Sequence, residues 1–171
     1  LLQWDQYKKQ VITKAYPPIP IALTNAAVTV VNKKVYIAGG ETANEPTSHF
    51  FMLDLSNITT GWKTLPAIPQ AVSHTVLVGL GNATNPALYL MGGRKKNPNG
   101  ISTLYSNMYE FDLLTNRWNE KASLPYALSA GTGIWCKADQ IVLFGGDKGT
   151  VFTQVETLLA AIANETNPDK K

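Results

Sequence analysis

Three hydrophobic segments each run into a pair of glycines and then a charge: "YIAGGE" ends at Glu41, "YLMGGR" at Arg94 and "VLFGGD" at Asp147. Carboxylates such as Glu41 and Asp147 can take or give a proton, and His74 titrates near enough to neutrality to relay one. Arg94 carries planar donors able to hold a carboxylate through two hydrogen bonds, and Lys95 and Lys96 beside it add positive potential. With Asn25 counted among the binding residues, these types make up an acid–base set next to an anion grip. The set works only if the chain delivers its members to one rim.

The spacing provides that delivery. Gly39, Gly92 and Gly145 open the three pairs, with 53 residues from 39 to 92 and 53 from 92 to 145. A second register repeats as "IPIALTN" from Ile19, "IPQAVSH" from Ile68 and "LPYALSA" from Leu124, so Asn25, His74 and Ala130 occupy one equivalent position. Each glycine pair follows a short β-prone run, "KVYIA", "ALYLM" or "QIVLF". Upstream of each lies another such run, across polar turn material. A third run follows ("HFFMLDL", "NMYEFDL"), then a tryptophan opening a fourth, "WKTLP" or "WNEKASLP". Four short strands per repeat, in an all-β chain, make the blade of a β-propeller. If the strands of a blade run as a meander, the loop between its second and third strands opens on the same side as the connection to the next blade. Glu41, Arg94 and Asp147 then share a level, with Asn25, His74 and Ala130 nearby.

On this reading residues 1–16 are the outer strand of a preceding blade, with Trp4 standing ahead of "YPPIP" as Trp62 stands ahead of "LPAIP". Residues 17–66 and 67–125 are two full blades and 126–148 the first half of a third. The equivalent tryptophans, Trp62 and Trp118, are expected to be buried between sheets. Residues 150–165 are a helical insertion: Thr153 and Glu156 have capping-box spacing, and Val155, Leu158, Leu159 and Ile162 form an i, i+3, i+4, i+7 stripe expected to pack on the blade. Residues 166–171 read as a loose tail. A piece of propeller exposes sheet edges and blade faces, so further blades or another copy of the chain are expected partners.

Composition excludes several alternatives. With 44% hydrophobic and 16% charged residues over 171, the chain can bury a core. Its net charge of +3 lies largely in scattered lysine pairs, Lys33/Lys34, Lys95/Lys96 and Lys170/Lys171, which gives no nucleic-acid-binding surface. No apolar run is long enough to span a membrane. The single cysteine, Cys136, excludes an internal disulfide and a cysteine-based zinc site. His49 and His74 fall in different blades and make no metal cluster, so neither a metal nor another cofactor is expected. A copper centre of the crosslinked cysteine–tyrosine type is rejected because Cys136 in "GIWCKAD" lies at a turn on the opposite face. Asn57, Asn82 and Asn164 open N-x-T triplets, which carry little meaning without a eukaryotic secretory context.

The strand-plus-Gly-Gly segments, the aromatic–acid run "YEFDLLTNRW" and the Trp-to-Leu-Pro segments resemble the kelch repeat of β-propellers, from about Trp4 to Asp147. More narrowly, "IPIALTNAAVTVVNKKVYIAGG", "MYEFDLLTNRWNEKASLPYALSAGTGI" and the insertion after "FGGDKG" resemble the bacterial N-acetylneuraminate (sialic acid) epimerases, or mutarotases, particularly their cyclically permuted branch. The resemblance implies a periplasmic or secreted bacterial isomerase that interconverts anomers of a small carboxylated sugar. In that chemistry a base takes the anomeric proton, an acid protonates the ring oxygen, and the ring opens, rotates and recloses. On the chemistry of the residue types, Glu41 or Asp147 would serve as base or acid, His74 as the relay, and Arg94, Lys95 and Asn25 as the binding residues. The alternative is a kelch domain that binds a protein or glycan without chemistry, since propellers host both.

Overall fold

The computed structural model describes residues 2–43, 45–81, 84–137 and 140–165. The first two strands, β1 (Leu2–Asp5) and β2 (Gln10–Thr13), form an antiparallel hairpin in which Trp4 faces Val11 in register. Where one outer strand was expected there are two, because the Asp5 carboxylate accepts the Tyr7 and Lys8 amides and folds "YKK" into a turn. Trp4 therefore lies one strand earlier than its resemblance to Trp62 implied.

A four-stranded meander follows: β3 (Ala27–Val31), β4 (Lys34–Ala38), β5 (Phe50–Asp54) and β6 (Trp62–Thr64). A second sheet comprises β7 (Val76–Leu80), β8 (Ala87–Met91), β11 (Met108–Asp112) and β12 (Arg117–Lys121). Between β8 and β11 it carries an extra hairpin that the repeat pattern did not announce, β9 (Arg94–Lys96) with β10 (Ser102–Leu104). The third unit is the hairpin β13 (Ser129–Lys137) and β14 (Gln140–Asp147). These antiparallel sheets have the kelch-type propeller architecture. Among the described residues no helix is long and apolar enough to cross a membrane.

Alternation along the inner strands explains how the blades stack. A side chain at Gly79 on β7 would run into Val31 of β3, and one at Gly133 on β13 would meet Val76 and Val78 of β7. Small residues at these contacts let the three inner strands approach closely. The core lies between the two full sheets, where the Phe50 and Phe111 rings meet edge-on at 4.9 Å. Trp118 tilts against both of them, at 5.2 and 4.9 Å. Contrary to expectation Trp62 and Trp118 are only half-buried. They do hold equivalent places, since each indole N–H donates to a carbonyl of the preceding segment, Trp62 to Pro17 and Trp118 to Pro66. The acid closing the third strand works locally. Asp112 accepts the Leu114 and Thr115 amides, and these bonds hold its carboxyl below the usual range.

Helix α1 (Thr150–Asn164) begins after Gly149, whose left-handed backbone turns the chain out of β14. Thr153 is therefore inside the helix, not at its cap, and Glu156 reaches outward to β10. The stripe expected to pack on the blade is exposed instead, with Leu158 63% and Leu159 60% accessible. The expected tail at 166–171 and the N-x-T asparagine Asn82 lie outside the described residues. Cys136 is exposed and sits at a register shift near the end of β13.

Candidate functional site

Three short turns carry the site. Thr24 pairs with Glu41, Ser73 with Arg94 and Ser129 with Asp147, so the residue after each glycine pair faces the residue that leads into an inner strand. The next residues along, Asn25, His74 and Ala130, all adopt the left-handed conformation, with φ of 55°, 53° and 56°. That conformation is uncommon for a residue with a Cβ and is costly enough to need external support. The support comes from neighbouring turns: the His74 amide donates to the Asn25 carbonyl at 3.0 Å, and the Ala130 amide donates to the His74 carbonyl at 2.8 Å. A backbone chain thus ties the three turns together at one rim.

On that rim the side chains of the first two turns form a continuous series. Glu41 accepts Asn25 Nδ2 at Oε1 (2.6 Å) and the Ser73 hydroxyl at Oε2 (3.0 Å). The Ser73 oxygen is 3.1 Å from His74 Nδ1, which in turn lies 3.2 Å from Arg94 Nε. A carboxylate held at both oxygens has a fixed direction, as acid–base chemistry requires. Burial holds the His74 pKa below the ordinary imidazole value; the Arg94 guanidinium lowers it further and Glu41 opposes both.

The remaining sequence candidates are placed differently. Asp147 stands at the corresponding point of the third unit, half-buried, with Oδ1 accepting the Gly149 amide at 2.7 Å. Lys95 is exposed on β9 and, by strand alternation, leaves the hairpin on the face opposite Arg94. Two residues of the site were not singled out for it. Ser73 is fully buried at the centre of the series. Glu156 of α1 accepts the amide and hydroxyl of Ser102 at 2.6 and 3.0 Å, and its Oε1 stands 3.8 Å from Arg94 Nη1. Ser73 could have been noticed as the small polar residue kept before each special turn, as Thr24, Ser73 and Ser129. Glu156 gave no such signal, because its position depends on how the helix docks. Among the described residues no group of histidine, cysteine, aspartate and glutamate could hold a metal.

Residues 16–171 match the family described as N-acetylneuraminate epimerase. The N-acetylneuraminate epimerase of Vibrio vulnificus is 26% identical over 161 residues, 91% of this chain and 38% of that protein. That of Salmonella typhimurium is 27% identical over 158 residues, 91% of this chain and 39% of the relative. A Vibrio cholerae kelch domain-containing protein is 24% identical, covering 90% of this chain and 42% of its own. The solved structure of YjhT matches with a TM-score of 0.70 at 18% identity, covering 88% of this chain and 42% of that one, a likeness of fold. The chain therefore spans about two fifths of the length of these relatives.

Proposed function

The chain belongs to the N-acetylneuraminate epimerase family, and from that premise we propose that the whole protein interconverts the anomers of N-acetylneuraminate by acid–base-assisted ring opening. The observation that carries this reading is the Glu41 carboxylate, held by Asn25 and Ser73 and continued through His74 to Arg94.

In this mechanism Glu41 takes the proton of the anomeric hydroxyl while a second group protonates the ring oxygen, and the opened ketone turns and recloses on its other face. Asp147, at the equivalent place one unit on, is assigned as the acid. Arg94 grips the sugar's carboxylate, which a guanidinium can do with two parallel bonds. Asn25 keeps Glu41 oriented and offers its carbonyl oxygen to a sugar hydroxyl, and Lys95 adds positive potential from outside. The same reading puts the activity in the periplasm or outside the cell, which fractionation of the full-length protein checks.

The alternative is a kelch domain that binds a glycan or protein without chemistry, since propellers host both. One experiment separates the two. Proton NMR of freshly dissolved, anomerically pure N-acetylneuraminate with the full-length protein should show anomer exchange faster than the buffer rate. Binding with no acceleration would favour the non-catalytic reading.

A further inference from the structure

Ser73 is fully buried, and its amide and carbonyl are both spent on Arg94, at 2.9 and 2.8 Å. Its hydroxyl lies between two groups that can carry a proton, 3.0 Å from Glu41 Oε2 and 3.1 Å from His74 Nδ1. A hydroxyl has a single proton to donate. The Arg94 guanidinium, which can only donate, lies against both ring nitrogens, Nε 3.2 Å from Nδ1 and Nη2 3.4 Å from Nε2. In the tautomer that carries its proton on Nε2, Nδ1 is an acceptor and the Ser73 hydroxyl faces two acceptors with one hydrogen. It can turn toward His74 only when Glu41 is protonated and donates to it in return.

We propose that Ser73 passes to His74 the proton that Glu41 takes from the sugar, an inference that rests on the anomer exchange proposed above. As the Glu41 Oε2–H bond breaks a new Ser73 Oγ–H bond forms, and as the original Ser73 O–H breaks an Nδ1–H bond forms on His74. The net transfer is one proton, carried by two coupled shifts: Glu41 returns to a carboxylate, Ser73 is again a hydroxyl, and the imidazolium releases its Nε2 proton to water. The charged and titratable groups facing this path are Glu41 from the turn after β4, Arg94 from β9 and, against Arg94, Glu156 from α1. The turn ahead of β13 contributes the Ala130 amide. Ser73 is on this view a positioning and relay residue, touching the reacting atoms only through Glu41.

The test compares Ser73→Ala, Ser73→Thr, His74→Asn and the Ser73→Ala/His74→Asn double variant of the full-length protein, with exchange and sugar binding both followed by NMR. Ser73→Ala should lower the rate at saturating sugar by about a hundredfold or more, the usual range for assisted proton transfer, and leave sugar affinity within about threefold. Ser73→Thr, which keeps the hydroxyl, should recover most of the rate. The double variant should be no slower than the slower single variant, because both interrupt one path. Losses that multiply, or full activity in Ser73→Ala, overturn the relay while leaving the exchange reading intact. Absence of exchange in the wild type overturns both. Should Ser73→Ala not fold, Ser73→Thr and His74→Asn decide: most of the rate kept in the first and a clear loss in the second support the path, and full activity in His74→Asn overturns it.

Discussion

The Gly40 amide donates to the Val72 carbonyl at 2.9 Å, across the boundary between one blade and the next. Gly93 repeats the bond to Leu128 at 2.7 Å. In each pair the first glycine leaves room for that carbonyl, which a Cβ would strike, and its left-handed backbone suits glycine. The double glycine is thus a backbone dock for the turn that precedes the neighbouring inner strand. The same turn carries His74, so the joint that closes the blades also positions the site.

Two glycines of the same conformation should accordingly respond differently to alanine. Gly92→Ala meets both a left-handed backbone, φ +60°, and the Leu128 carbonyl, whereas Gly145 has φ +64° and nothing within 4 Å. Urea unfolding should show a loss of about 1–2 kcal/mol for Gly145→Ala from backbone strain, and a further ~1–3 kcal/mol for Gly92→Ala from overpacking. Equal losses would mean that the carbonyl contact matters little.

Acid should weaken the fold through His74. Its folded pKa is depressed by burial and Arg94, so below about 6.5, the ordinary imidazole value, the unfolded chain binds more protons than the folded one. Stability from this group is complete above that pH and is lost as pH falls toward the folded pKa. Urea titrations at pH 7.5 and 5.5 should show a larger loss for the wild type than for His74→Asn, in which asparagine still tolerates the left-handed backbone. Identical losses would show that His74 titrates as it does in the unfolded chain.

Glu156 should hold α1 to the β9–β10 hairpin, because the exposed apolar stripe contributes little to docking. Glu156→Ala should speed amide hydrogen exchange at residues 102–104 and across α1. Glu156→Gln, which can still accept from Ser102, should do so less. Unchanged protection in both variants would place the docking energy elsewhere.

Self-association should be visible in the 171-residue chain. β3 turns Val28 and Val30 to solvent, and the β13–β14 hairpin turns out Ile134, Val142 and Phe144, the last 53% accessible. Sedimentation at several concentrations should show mass rising with concentration. A monodisperse monomer throughout would mean that these faces are stable in water.

Features that repeat were legible in the sequence, and features that depend on one contact were not. The period of 53 residues and the turn register already assign Asn25, Glu41, His74 and Arg94 to one rim, because strand alternation and blade order are periodic. The β9–β10 hairpin escaped notice because it interrupts the repeat once. The helix stripe misled because periodicity identifies an apolar face without saying what covers it. Trp4 misled in a similar way, since a tryptophan before a proline-rich link does not count the strands between them.

The roles of Glu41 and Arg94 can be measured together, by NMR of anomer exchange in the full-length protein with N-acetylneuraminate and a neutral sugar in parallel. Arg94→Ala should weaken binding of the carboxylated sugar by about 1.5–3 kcal/mol, the range for a hydrogen bond to a charged group, and spare the neutral sugar. Glu41→Gln should lower turnover at saturating N-acetylneuraminate with little change in affinity, since it keeps the shape and removes the proton acceptor. Equal losses for both sugars in Arg94→Ala, or undiminished turnover in Glu41→Gln, would show that this rim is not where the sugar reacts.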